Sequence, residues 1–426
     1  MGPCRPHIAG LLSATTNRSK IVFSKVNWLL LGLGYSLALL SLSAYAQLVP
    51  LWPLSTPDTT ADNAFGAAVA LSAQYAVVGA GGVNRCGPAS GAAYVYRHLP
   101  DGSWMLEATL QPEDCAPGRF FGRAVALEGE RVLIAAAGQP YRVEHTDAAY
   151  VFTRQADGSW RQTARLTAPP QASTGAFGAA VALEGDLAVV STWGDPGRRL
   201  AGAAYVFKQI GSENWQLMAT LTAAPPSQGP WPGGAVALSG NIVVLAAPSY
   251  RYNRPSAVLI FYRQQDGSWQ LETTLGGIRD FNPALALKGN DLLVGERLGG
   301  RHNGGRVRHY QRQRDGRWIL VTTLDPPQPY PNGGFGATLA FDGQRALVAG
   351  FDEQLGLDFN VDRVVYVFVR ANANWCFWRR IDPGEKAFGA ALSLHDALAL
   401  IGVPRESAPG SAYLVPLDTA QCTPAP

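Results

Sequence analysis

The residues able to do chemistry in this chain of 426 are scattered rather than grouped. Its histidines are His7, His98, His145, His302, His309 and His395, and none stands at ligand spacing from a second. No GxSxG, HExxH, phosphate-cradling glycine loop or dinucleotide fingerprint is present. One acidic cluster stands out, Asp352, Glu353, Asp358, Asn360 and Asp362. Asp358, Asn360 and Asp362 alternate like a calcium loop but lack its glycine and its distal glutamate. They read as a solvated loop and are the one weak candidate for a metal. Carboxylates drawn from distant segments would suit a glycosidase, which needs only a facing pair. No constellation specifies a reaction, so the expectation is a non-catalytic protein with no cofactor.

The cysteines point elsewhere. Cys86, Cys115, Cys376 and Cys422 form an even set with no CxxC pair, which favours disulfides over zinc. Cys4 lies ahead of an apolar run and does not read as a lipid-attachment site.

The elements that position these residues are set by a repeat. FGAAVAL at Phe65 recurs as FGRAVAL at Phe121, FGAAVAL at Phe177, FGATLAF at Phe335 and FGAALSL at Phe388. Degraded copies start at Pro232 and Phe281. The seven starts, 65, 121, 177, 232, 281, 335 and 388, are separated by 49 to 56 residues, a period typical of repeat architectures.

The first unit contains an apolar strand, Phe65–Leu71, then YAVVGA at Tyr75–Ala80, then GAAYVYR at Gly91–Arg97. An Asp101-Gly102 turn leads to a strand opening on Trp104. Asp-Gly recurs at 157, 266 and 315, and tryptophan follows at Trp160, Trp215, Trp269, Trp318 and Trp375. Third-strand tyrosines recur at Tyr94, Tyr150, Tyr205, Tyr366 and Tyr413, as packing between units would require. Four antiparallel strands per unit, repeated radially, predict an all-β, seven-bladed β-propeller. The small residues of FGAAVAL fit a first strand that lines a crowded axis. The last unit lacks a tryptophan-led fourth strand, so 47–54 is expected to complete blade seven and close the ring.

These motifs resemble the FG-GAP repeat family, the units of integrin α-like propellers and of exported bacterial proteins. The resemblance covers Phe65–Leu417 and is weak in blades four and five. It implies extracellular or surface recognition, adhesion or assembly, and no reaction. Metal-binding members carry a calcium loop between the first and second strands. Here those turns, such as Glu128-Gly129-Glu130, are too short to supply six to eight oxygens.

Residues 1–46 read as a signal peptide. Arg5, Arg18, Lys20 and Lys25 precede the apolar run Trp28–Ser43, and Ala44-Tyr45-Ala46 fits a cleavage site. An uncleaved anchor is the alternative, although the run is short for a spanning helix of roughly 20 residues. With those four basic residues set aside, 31 Lys and Arg face 32 Asp and Glu, a formal charge of −1. That balance argues against nucleic acid and, with no second long apolar run, against stable membrane insertion after cleavage. The expectation is one domain, 47–426, that is secreted, periplasmic or on the cell surface.

Connections of alternating direction put short turns on one face and long, variable loops on the other. Variable loops on a rigid scaffold are where recognition sits. The long-loop candidates are Arg142, His145, Trp193, Arg198, Trp231, Tyr250, Arg251, Tyr252, Arg301, His302 and Tyr330, a composition favoured at interfaces. The expected ligand is an unidentified protein or glycan. The alternatives are an exported polysaccharide hydrolase or lyase and a structural module of a surface assembly. Cys86 and Cys115 fall on that face, and Cys376, at the start of a fourth strand, shares a face with Cys422, in the tail leaving a third strand, which predicts those two pairings. Blade five departs most, with Glu296 and Arg308 where other blades carry alanine and tyrosine. Register places Glu296 opposite Arg306, which predicts pairing of Glu296 with Arg306 or Arg308. An anion patch of Arg301, Arg306 and Arg308, helped by His302, is the other reading.

Overall fold

Tyr75–Ala80 is apolar at every position because both of its faces are buried. Ala76, Val78 and Ala80 pack toward blade seven, and Tyr75 and Val77 toward blade two. The computed structural model describes residues 50–138, 147–169, 176–193, 202–222, 233–249, 255–351, 363–371, 374–405 and 408–417. They form seven four-stranded antiparallel sheets, each in simple up-and-down order. The buried side chains fall into seven clusters, and each joins two neighbouring blades. Ring and core are therefore the same object, and a single blade has no core of its own. Among the described residues no helix is long and apolar enough to cross a membrane.

The predicted strands hold closely. In blade one they are Phe65–Leu71, Tyr75–Ala80, Ala92–His98 and Trp104–Leu110. The third is shifted by one residue from expectation, because Gly91 makes a bridge to Phe121 of blade two instead. In blades three to seven the first strand is shorter, as at Val181–Glu184 in blade three, and in blades three and seven the FG residues lie in a turn. The ring closes as expected: Trp52–Leu54 is the fourth strand of blade seven and pairs with Ser411–Pro416. Within the described part of 47–54, the paired strand covers only those three residues.

First strands of adjacent blades do touch one another around the axis, but the FG glycines have a different cause. They sit at the blade joints in left-handed backbone, Gly66 at φ 91 and Gly122 at φ 93. A Cβ on Gly122 would lie 2.2 Å from the Ala92 carbonyl oxygen of the preceding blade. The phenylalanines beside them fill the joints: Phe65, Phe121, Phe177, Phe335 and Phe388 are buried. Phe281, in the degraded copy, is 45% exposed, and Ile278 fills that joint instead. Gly122→Ala is expected to destabilise by about 3 kcal/mol or more, from φ strain plus a backbone clash. Gly129, at φ 55 with no atom within 4 Å of a Cβ, supplies the control at about 1 kcal/mol. Urea denaturation of both variants checks this, and equal losses would remove the joint as the constraint.

Candidate functional site

The second-to-third and inter-blade connections share one face, and what holds them there is a recurring tie. In blade one, Asp58 accepts from the Tyr94 hydroxyl and pairs with Arg85 at 2.9 Å. In blade two, Asp114 accepts from Tyr150 at 2.7 Å and pairs with Arg165 at 3.1 Å. In blade seven, Glu385 accepts from Tyr413 at 2.8 Å and pairs with Arg405 at 2.7 Å. In blade five, Asp280 takes Arg297 at 2.8 Å through the guanidinium and accepts from its backbone N–H at 2.7 Å. Each carboxylate lies in a loop leading into a blade and binds groups of that blade, so the loop is pinned at mid-length. Burial, then hydrogen bonding to the carboxylate, pushes the Tyr94 and Tyr150 phenols up to about 12, so they remain neutral donors.

Sequence reading treated these tyrosines as packing alone and missed the ties. The signal was present, since Asp58 and Asp114 both lie seven residues ahead of an FG phenylalanine. A disulfide adds to them. Cys86 and Cys115 are bonded with Cα atoms 6.0 Å apart, joining the second-to-third loop of blade one to the loop leaving that blade. Cys376, third residue of the strand Asn374–Ile381, is also disulfide-bonded. Its expected partner Cys422 lies outside the described residues.

Of the long-loop candidates, Arg142, His145, Arg198, Trp231, Tyr250, Arg251 and Tyr252 lie outside the described residues, as do Asp358, Asn360 and Asp362. Trp193 is half-buried at the end of a blade-three strand. Arg301, His302 and Tyr330 come from loops that touch. The Asn332 N–H donates to the His302 carbonyl at 3.3 Å, and a Cβ on Gly304 would lie 2.8 Å from the Tyr330 carbonyl oxygen. Three non-glycine residues of this patch hold left-handed backbone, His302 at φ 56, Asn303 at φ 57 and Asn332 at φ 58. Such strain persists where surroundings enforce it and clusters at recognition sites. Arg301 and His302 are exposed and Tyr330 is half-buried.

The anion-patch reading of blade five loses two of its arginines. Glu296 is fully buried and pairs with Arg306 at 2.6 Å and Arg308 at 2.9 Å, in the predicted register. The buried carboxylates among the described residues, Asp280 and Glu296, are thus both committed to arginine. Asp147 is the described carboxyl held above its usual range. Burial raises it, and the Gly138 N–H, Arg119 and Arg123 offset part of that. One such acid does not make the facing pair that glycoside hydrolysis uses. Among the described residues no group of three His, Cys, Asp or Glu is placed to hold a metal.

A second buried network crosses from blade five to blade six. The Trp375 indole N–H donates to His309 Nδ1 at 3.2 Å, which fixes the ring tautomer, so Nε2–H donates to Asp291 at 2.8 Å. Asp291 also pairs with Arg370 at 3.1 Å. Burial pushes the Asp291 carboxyl up, but the hydrogen bonds from His309 and Arg370 outweigh it, and the net direction is down from 3.8. A depressed carboxyl contributes stability above its unfolded value and loses it as pH falls through the folded value. Asp291→Asn is therefore expected to cost about 2 kcal/mol at pH 7, with the gap to the parent closing below pH 3.8. Urea midpoints from pH 7 to pH 3 measure this, and a gap constant with pH would remove the carboxylate from the account.

Comparison with known proteins adds a family. Residues 53–96, 104–152 and 160–207 match the FG-GAP repeat. No curated protein matches the chain by sequence. Among solved structures, the Pseudomonas aeruginosa periplasmic gluconolactonase PpgL aligns at 17% identity over 74% of this chain and 85% of its own, with a TM-score of 0.48. The Pyrococcus horikoshii acylaminoacyl peptidase aligns at 10% identity over 81% of this chain, with a TM-score of 0.46. This chain spans 50% of the peptidase's length. At these levels neither likeness bears on activity.

Proposed function

We propose that this FG-GAP repeat propeller is an exported binding protein that uses its long-loop face to recognise a protein or a glycan. One observation carries the reading: the loops of that face are pinned to the blades by four carboxylate ties, with Asp58, Asp280 and Glu385 buried or half-buried and Asp114 exposed, and by a disulfide. Pinned loops of differing composition lose little entropy on association, which is how a rigid scaffold gains affinity. The contact patch centres on Arg301, His302 and Tyr330. Export is supported by the disulfides, which persist in oxidising compartments. Cleavage after Ala46 belongs to the same proposal.

The test is a glycan array and a purified-partner screen with residues 47–426, followed by Arg301→Ala, His302→Ala and Tyr330→Ala combined. A ligand whose affinity falls at least ten-fold in a triple variant with unchanged melting temperature supports the reading. Turnover of a polysaccharide by the parent would replace it with the hydrolase alternative.

A further inference from the structure

Each fourth strand is the outer edge of its sheet, paired on one side and unpaired on the other among the described residues. An open edge invites pairing with another chain, and a charge or a proline on it discourages that. Five rims carry such a guard: Glu107, Arg165, Glu272, Arg380 and Pro53 in blades one, two, four, six and seven. Blade three has none, but its exposed residues are Gln216, Met218 and Thr220, one apolar side chain between two polar ones. The fourth strand of blade five, Trp318–Leu324, reads WILVTTL, without charge, glycine or proline. Its Ile319, Leu320 and Val321 are consecutive and 44%, 51% and 37% exposed. Apart from the leucines, every residue in it is β-branched or aromatic, the types that favour strands.

The two ends of this strand are complementary in charge. Arg317 precedes it, with its side chain 79% exposed and its Nε on Asp315 at 2.7 Å. Asp325 follows it, exposed and without a partner among the described residues. When the strand is laid antiparallel on a copy of itself, centred on Val321, Arg317 of each copy lies opposite Asp325 of the other. Ile319 then meets Thr323, Leu320 meets Thr322 and Val321 meets Val321, with no like charges opposed. The strand's β-bulge is at Val321, between the Leu320–Tyr310 and Thr322–His309 pairs. Centring both copies there sets the two kinks against each other and leaves the regular segments 318–320 and 322–324 to pair.

We propose that Trp318–Leu324 pairs antiparallel with the same strand of a second copy, about a two-fold axis at Val321, and joins two propellers rim to rim. Main-chain hydrogen bonds merge two four-stranded sheets into one, the exposed aliphatic side chains are covered, and the Arg317–Asp325 pairs set the register. Neighbouring blades radiate away from this rim, so each copy contributes one strand and the small contact gives a reversible dimer. The strand runs from the short-turn face to the long-loop face, so antiparallel pairing turns the two long-loop faces in opposite directions. The pairing does not depend on what those faces bind.

Analytical ultracentrifugation of residues 47–426 over a concentration series tests it. The expected result is a concentration-dependent equilibrium between monomer and dimer. Val321→Lys sets two like charges face to face and should weaken the dimer about ten-fold or more, with an unchanged melting temperature. Arg317→Asp should weaken it too, and adding Asp325→Arg to that variant should restore it, because the ion pairs re-form with their charges exchanged. A chain that is monomeric at every concentration, or a dimer that survives Val321→Lys, would overturn the proposal. A dimer weakened by Arg317→Asp and not restored by the exchange would overturn the two-fold register. A monomer whose Trp318–Leu324 amides are protected from exchange only by an added extended peptide would assign the edge to another partner and also overturn self-pairing.

Discussion

Deleting residues 50–54 is expected to cost on the order of 4 kcal/mol and to drive the protein toward association. Leu54 is 5% exposed in the blade one–seven core, and burying such a side chain is worth about 2 kcal/mol. Leu51 packs on the blade six–seven core. Ladder hydrogen bonds to Ser411–Pro416 add about 1 kcal/mol each. The deletion also leaves the strand Ser411–Pro416 as an unpaired edge, a template for other chains. Against a total stability of about 5–15 kcal/mol this is a large fraction. Thermal melting with light scattering is the measurement. A truncated protein that melts with the parent and shows the parent's association state would remove ring closure as a source of stability.

The second large effect belongs to Glu296. Its carboxylate is fully buried between Arg306 and Arg308, and Arg279 donates a backbone N–H to it at 3.2 Å. Glu296→Ala would leave two partly buried guanidiniums facing each other with no counter-charge. The expected loss is about 3–5 kcal/mol. The pair's net worth is much smaller, because desolvation offsets the attraction. Replacing Glu296, Arg306 and Arg308 together with leucine or methionine should therefore recover most of that loss. Urea denaturation of the single and triple variants decides it. A triple variant as unstable as Glu296→Ala would show that the ion pairs themselves hold the blade.

Much of this fold was legible in the residues. Phe65–Leu71, Tyr75–Ala80, the Asp-Gly turns, the closing segment and the Glu296 register all follow from periods of two and of about 54 residues. Contacts between neighbouring units were not legible, because a period describes what units share. The FG glycines were read as lining an axis, whereas Gly122 is required by the carbonyl of Ala92, a residue of the preceding unit. Glu107, Thr163, Met218, Glu272, Val321 and Trp378 occupy equivalent fourth-strand bulges, yet among the described residues only the two glutamates form an ion pair with an arginine of the next blade, Arg154 and Arg312, so no shared motif announces that tie. The Asp58 and Asp114 ties share a spacing of seven residues before an FG phenylalanine, but blades five and seven make theirs from other positions, Asp280 and Glu385, so the spacing does not repeat around the ring.

The strand pairing that closes the ring also fixes how the protein would bear a load. Trp52 lies opposite Leu414 and Leu54 opposite Ala412, so the chain enters and leaves blade seven at the same end of the sheet. Tension applied between residues 50 and 417 would open that pairing one rung at a time, like a zipper, rather than shear all rungs at once. Three rungs loaded in sequence yield at low force. If the molecule were suspended by both ends, blade seven would act as a mechanical fuse, giving way first and leaving the other six sheets wound. Tethered by one end only, it would transmit no tension through the seam.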